Sequence, residues 1–102
     1  MSDDRKHTDS DEQTVSGIPT IKYYQVSYAN SMANNDQKAV RTFKDFESRE
    51  KLGRLRQELV WVRDGMVRSA PLNEIIGAKR RSRYGGYERW ASLMLQWIAA
   101  AK

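Results

Sequence analysis

Apolar and polar residues alternate along residues 18–29, the first part of the chain that is rich in large apolar side chains. Tyr24, Val26 and Tyr28 fall on one face at a spacing of two, and the intervening residues fall on the other. Aromatic and β-branched residues at this period are typical of a half-buried strand. The pattern therefore predicts a β-strand, followed by a polar loop over residues 30–37.

In the middle of the chain the apolar spacing changes to that of a helix. Leu52, Leu55, Leu59 and Val62 recur every three or four residues, and the residues between them are mostly charged or amide side chains that favour helix. Gly53 lies within this stretch and disfavours helix by about 1 kcal/mol relative to alanine. We nevertheless predict a helix here, because the periodic pattern extends on both sides of the glycine.

Residues 59–67 allow two interpretations. An Asp-Gly pair between apolar residues is a strong signal for a two-residue hairpin turn, and residues 60–62 favour strand over helix. Gly65 could instead end the preceding helix. We favour a second strand, because it would give the strand at residues 18–29 a partner. If the helix simply continues, the chain is all-α.

The C-terminal segment has the clearest helical pattern. On a wheel of about 100° per residue, the apolar side chains gather on one side: Tyr87, Trp90, Leu93, Met94, Trp97, Ile98 and Ala101. The pattern predicts an amphipathic helix over residues 86–100. The predicted fold class is therefore α+β, a small single domain with a short antiparallel sheet packed by one or two helices, and an all-α fold is the alternative.

The first 19 residues differ from the rest of the chain in composition. They hold few large apolar side chains, so ordering them would cost backbone entropy with little burial in return. We predict a disordered acidic tail over residues 1–19 and one domain over residues 20–102, since a chain of 102 residues seldom forms two cores. The chain has a net charge of +5, to which the tail contributes −3, so the domain carries a net charge of +8.

Much of this positive charge lies at and just before the start of the C-terminal helix. The candidate nucleic-acid-binding residues are Lys79, Arg80, Arg81, Arg83, Tyr84, Tyr87 and Arg89. Guanidinium groups match phosphate oxygens in shape and charge, and tyrosine rings can stack on unpaired bases. The segment predicts binding to nucleic acid, with an acidic protein as the alternative partner. Short basic runs also occur as solvated loops.

A second candidate surface is the apolar stripe of the C-terminal helix, formed by Trp90, Met94, Trp97 and Ile98. Aromatic residues and methionine are enriched in interface cores, so the stripe suggests a protein–protein interaction module or structural adaptor, with a homodimer as one form. We favour the domain's own core for this stripe, because the chain has few other large apolar side chains.

The sequence gives little support to an enzyme. His7 is the only histidine and there is no cysteine, so a catalytic triad and the usual histidine or cysteine metal sites lack their parts. We expect a non-catalytic binding module that uses no metal and no cofactor. No apolar run approaches the roughly 20 residues of a membrane span, so we also expect a cytoplasmic protein.

Overall fold

The computed structural model describes residues 15–100, and these fold as six helices without a β-strand. Helix α1 comprises Pro19–Tyr24 and continues as the π-helical turn Gln25–Ala29 and the 3₁₀ turn Asn30–Met32; α2 is Asp36–Phe46; α3 is Arg49–Arg63; α4 comprises Ser69–Pro71 and the π-helical turn Leu72–Ile76; α5 is Ala78–Tyr84; and α6 is Tyr87–Ala100. The α+β prediction is therefore wrong. The all-α alternative describes the fold.

The predicted strand at residues 18–29 is helix α1. Its buried residues follow a helical spacing of three, with Ile18 and Ile21 each 1% exposed and Tyr24 fully buried, whereas Val26 is 60% exposed. A π-helical turn adds about one residue to a helical turn, which brings Ala29 into the core five positions after Tyr24. The alternation that suggested a strand therefore does not match the buried positions.

Residues 59–67 do not form a hairpin, because α3 continues to Arg63. Gly65 follows the helix with φ at +74°, and its N–H donates to the carbonyl of Val62 at 3.1 Å. The glycine ends the helix in the left-handed conformation that favours this residue. Helix continues through residues 60–62 because Leu59 and Val62 are buried against the core, and tertiary packing outweighs their local preference for strand.

The core lies mainly between α3 and α6, which share the largest helix–helix contact. The C-terminal helix is confirmed, although Ala101 of its predicted apolar face lies outside the described residues. The most deeply buried apolar side chains come from four helices and from the residue just before α1. Those no more than 1% exposed are Ile18, Ile21, Tyr24, Ala29, Ala39, Val40, Phe43, Leu55, Leu59, Val62, Trp90, Ala91, Met94 and Ile98.

Residues 1–14 of the predicted tail also lie outside the described residues. The remainder of that segment is part of the folded body. The N–H of Val15 donates to the carbonyl of Met66 at 3.1 Å, and the N–H of Arg68 donates to the carbonyl of Val15 at 2.9 Å. This pairing forms a single parallel bridge between Val15 and Val67. The structured domain therefore begins before residue 20.

A buried glutamate fixes the start of α1. Ile18 occupies the N-cap position and has no side-chain oxygen to accept a hydrogen bond. Glu58 of α3, which lies 37 residues after Ile21 in the chain, takes that role. Its Oε1 accepts from the N–H of Ile21 at 2.8 Å, and its Oε2 accepts from the N–H of Thr20 at 3.1 Å. A carboxylate at this position satisfies two N–H groups and complements the positive end of the helix dipole. Glu58 thereby ties α1 to α3.

Candidate nucleic-acid interface

The predicted basic segment folds as helix α5 and the start of α6. Helix α5 begins after Gly77, with φ at +95°, and ends at Gly85, with φ at +86°. Because residues four apart share one side of a helix, Lys79 and Arg83 lie on the same side of α5, and Arg81 lies away from them. The basic side chains are therefore spread around a short helix rather than gathered on one loop.

Arg80 is the one cation of α5 that points into the protein. It is 5% exposed, and its Nε and Nη2 donate to the two carboxylate oxygens of Asp36 at 2.8 Å each. Its Nη2 also donates to Oδ1 of Asn34 at 3.3 Å. A guanidinium that is held in this way cannot contact an external phosphate. The structure thus removes Arg80 from the predicted binding residues and gives it a structural role.

Asp36 is the centre of a buried polar cluster. Besides Arg80, its carboxylate accepts hydrogen bonds from the hydroxyl of Tyr24 at 2.6 Å, the hydroxyl of Tyr84 at 3.1 Å and the indole N–H of Trp90 at 3.1 Å. Burial by itself would raise the pKa of Asp36, but the hydrogen bonds from Arg80, Tyr24 and Trp90 and the charge of Arg80 outweigh it, so the pKa is lowered. The carboxylate is therefore ionised in the folded protein.

The sequence did not point to this cluster, because Asp36 falls within the stretch that we predicted as a loop. In the structure it is the first residue of α2, preceded by the N-cap residue Asn35, whose side chain accepts from the N–H of Lys38 at 3.2 Å. An Asn-Asp pair ahead of an apolar helical pattern was the available signal for a helix start. This Asn-Asp pattern does not indicate which cation pairs with Asp36.

The tyrosines of the segment are held by the protein itself. The hydroxyl of Tyr87 donates to Oδ1 of Asn73 at 2.7 Å, and this residue is only 7% exposed. Tyr84 is half-buried, and its hydroxyl bonds to Asp36. Tyr87 thus serves the packing of α6 and does not offer a free ring for stacking, in contrast to the prediction, whereas part of Tyr84 stays at the surface.

The other four cations, Lys79, Arg81, Arg83 and Arg89, are exposed, and none forms an ion pair with a carboxylate of residues 15–100. They divide into two pairs. Lys79 and Arg83 line a hollow of about 280 Å³ beside Asn34, whose carbonyl accepts from Nη1 of Arg83 at 3.2 Å.

Arg81 and Arg89 lie at the glycine turn between α5 and α6. The guanidinium of Arg81 is 5.9 Å from the ring centre of Tyr87, and the side chain of Arg89 lies beside Gly85. Lys79, Arg81, Arg83 and Arg89 thus lie at the surface as two pairs with different surroundings, while Arg80 is buried.

The apolar stripe of α6 lies mostly inside the domain. Trp90 and Ile98 are each 1% exposed and Met94 is fully buried. Trp97 is the exception, since it is half-buried and packs its ring edge-on against Tyr84 with 6.4 Å between the ring centres. Only Trp97 of the four candidate partner-binding residues thus presents part of its side chain to the surface.

Comparison of the chain with protein-family models, with curated proteins and with solved structures finds no match in any of the three. Between residues 15 and 100, no group of three or more acidic, histidine or cysteine side chains is placed to hold a metal ion. No helix in that same range is long and apolar enough to cross a membrane.

Proposed function

We propose that this chain is a small non-catalytic module that binds nucleic acid through phosphate contacts from Lys79, Arg81, Arg83 and Arg89. The observation that supports the proposal is that one cation of α5 is buried and paired while the cations around it are exposed and unpaired among the described residues. Arg80 neutralises the buried Asp36, while the neighbouring cations stay exposed without a carboxylate partner among the described residues. Cations in this state can exchange their counterions for phosphates, which is the main source of affinity for nucleic acid.

The charge of the whole body supports the same function. Residues 15–100 include fifteen basic and eight acidic side chains. Two of the eight acids, Asp36 and Glu58, are buried and bonded to groups of the protein itself. The water-facing surface of the body therefore has few exposed acids to offset its basic side chains, and a surface of this kind attracts polyanions.

Arginine at three of the four positions favours phosphate over a generic acidic surface, because the guanidinium fork can donate two parallel hydrogen bonds to phosphate oxygens. Four phosphate contacts would give a slope of about −3 to −4 in a plot of log affinity against log salt. We expect the affinity to fall steeply with salt and to depend little on base sequence.

The test is fluorescence anisotropy with labelled oligonucleotides over a series of salt concentrations. The triple variant Lys79→Gln, Arg81→Gln, Arg83→Gln should lose at least about tenfold in affinity and flatten the salt slope by about 2 to 3. A matched control, Arg49→Gln, Arg54→Gln, Arg56→Gln, removes the same charge from the exposed face of α3.

Comparing the two triple variants distinguishes nucleic-acid binding at α5 from general electrostatic attraction to the basic surface of the protein. A loss confined to the α5 variant would support the proposal. Equal losses in both variants, or wild-type affinity that does not respond to salt, would overturn it. The C-terminal helix as a protein-binding face has less support, because Trp90, Met94 and Ile98 of its stripe are in the core.

A further inference from the structure

Three hollows adjoin one another along one side of the protein. The first has a volume of about 280 Å³ and lies between α5 and α1, where Lys79 and Arg83 face Asn34. The second has about 450 Å³ and shares Asn34 and Arg83 with the first, but also reaches Tyr84 and Trp97. The third has about 70 Å³ and adjoins the second at Trp97.

The third hollow extends this line of hollows to α2. It shares Gln37 and Trp97 with the second and ends at Arg41, an exposed cation without an ion-pair partner among residues 15–100. We call this line of hollows, from Lys79 through Arg83 and Trp97 to Arg41, the track. It combines three separated cations, two partly exposed aromatic rings and several amide side chains.

The charge of the track is positive along its length. Among residues 15–100, Asp36 is the one acid that lines it, and its carboxylate is fully buried and paired with Arg80. The other polar lining groups are the amides of Gln25, Asn34, Asn35 and Gln37. Amides can both donate to and accept from the edges of bases. An anionic ligand that also carries hydrogen-bonding planar groups matches this lining.

We infer that the track binds an unpaired strand of nucleic acid, with one base against Trp97 and the backbone phosphates at Lys79, Arg83 and Arg41; this inference rests on the proposed function. A base can stack on an aromatic side chain only when it is released from its own duplex stack, and cations with interspersed rings are typical of single-strand grooves. The bases of a duplex would not reach Trp97, which lies between two hollows. DNA and RNA share the phosphate and stacking chemistry that the track uses.

The turn between α1 and α2 holds the middle of the track in place. Ala33 and Asn34 have φ of +54° and +59°, which is a costly backbone conformation for residues with a side chain. The turn is fixed by the N–H of Asn34 donating to the carbonyl of Ala29 at 2.8 Å. Strained backbone of this kind is enriched at binding sites. Here it directs the carbonyl of Asn34 to Arg83, between the first two hollows.

The experiment compares a labelled 12-nucleotide single strand, as DNA and as RNA, with the matching DNA duplex over a series of salt concentrations. The wild type should bind both single strands at least about tenfold more tightly than the duplex. Trp97→Ala should weaken single-strand binding by about 5- to 100-fold, in line with the loss of one stacked base. Trp97→Phe should keep most of that affinity, and duplex binding should not change in either variant.

Two controls make the test specific. Trp61→Phe alters a half-buried tryptophan of α3 outside the track, and it should leave affinity unchanged. Arg41→Gln should reduce the single-strand salt slope by about 0.7, whereas Arg68→Gln, which removes an exposed cation away from the track, should not.

If Trp97→Ala fails to fold, the quenching of tryptophan emission by the single strand, compared between wild type and Trp97→Phe, gives the same information.

The possible results separate the two hypotheses. Equal binding of duplex and single strand, or single-strand binding that is indifferent to Trp97 and Arg41 but lost in the α5 triple variant, would overturn the track and leave the proposed function standing. Salt-insensitive binding, or no binding of any oligonucleotide, would overturn both. A preference for one of the two single strands that is lost in Trp97→Ala would support the track and identify the sugar that it prefers.

Discussion

Arg80 and Asp36 are 44 residues apart in the chain and form a two-point ion pair in the core, with both hydrogen bonds at 2.8 Å. The Arg80 side chain is 6% exposed and that of Asp36 fully buried. The pair joins α5 to α2, and the hydrogen bond from Trp90 joins α6 to the same carboxylate. The hydroxyl of Tyr24 adds α1, so four helices meet at the carboxylate of Asp36.

We expect Asp36→Asn to be strongly destabilising. The substitution leaves the Arg80 cation buried without a counter-ion, and breaking a buried pair in this way costs about 3 to 5 kcal/mol. The free energy of unfolding from urea denaturation measures the loss. The control is Asp64→Asn, which removes the partner of Arg63 in a pair that is about half exposed, and should cost less than about 1 kcal/mol.

A double variant distinguishes the ion pair from general disruption. In Asp36→Asn, Arg80→Met neither charge is left without its partner, so the double variant should be more stable than Asp36→Asn alone. A double variant that is less stable than either single variant would show that the surrounding hydrogen bonds, and not the unpaired charge, account for the loss.

The lowered pKa of Asp36 predicts how stability depends on acid. Because the folded state holds this carboxyl ionised below the unfolded pKa of about 3.9, the unfolded state binds more protons in that range. The stabilisation is present in full above about pH 4 and is lost as the pH falls through the folded pKa. Unfolding free energies at several values between pH 2 and 7 should therefore drop below pH 4.

The Asp36→Asn variant should show a shallower drop over the same range. It keeps a part of the effect, because the pKa of Glu47 is also lowered by hydrogen bonds from the hydroxyls of Tyr28 and Tyr23. Parallel acid profiles for the wild type and Asp36→Asn would contradict the assignment of this pH dependence to Asp36.

The hydrogen bonds from Thr20 and Ile21 to Glu58 predict a local effect at the start of α1. Glu58→Gln keeps one acceptor oxygen but turns an amide N–H₂ towards the second backbone donor, so one buried N–H loses its partner. We expect a loss of about 1 to 3 kcal/mol. Amide hydrogen exchange should become faster at Thr20 and Ile21 before other parts of the core respond.

The control for this change is Glu50→Gln in the exposed first turn of α3. It removes the same charge near a helix start, where the dipole contributes less than about 1 kcal/mol. If exchange at Thr20 and Ile21 were unchanged in Glu58→Gln, the carboxylate would not be holding α1.

The sequence predicted the C-terminal helix correctly and the first element wrongly, for a physical reason. In α6 the apolar spacing repeats over four turns, so one interpretation fits. Around Tyr24 a spacing of three, starting at Ile18, competes with the spacing of two that ends at Tyr28. Which spacing is realised depends on the surfaces that the segment meets, and Glu58, which caps α1, lies 38 residues beyond Thr20.

The candidate site likewise depends on contacts between residues that are distant in the sequence, which no local pattern indicates. Arg80 and its neighbours are equivalent in a run of cations, and nothing local marks the one that turns inward. The partner Asp36 could be recognised as part of a helix start, but its pairing with Arg80 requires the arrangement of α2 and α5. The track depends on tertiary structure entirely, since Arg41, Arg83 and Trp97 come from three helices.

Two glycines give a final prediction in which the same substitution has opposite effects. Gly77 has φ at +95° and ψ at 151°, a region that is open essentially to glycine alone, whereas Gly53 lies within α3. No heavy atom within 4 Å would meet an added Cβ at either position. Gly77→Ala should therefore destabilise the protein by about 1 to 3 kcal/mol through backbone strain alone. Gly53→Ala should stabilise it by up to about 1 kcal/mol, because alanine favours helix. Thermal unfolding of the two variants measures the change in stability of each relative to the wild type. A Gly77→Ala variant that is more stable than the wild type would mean that the turn before α5 does not hold residue 77 at a positive φ.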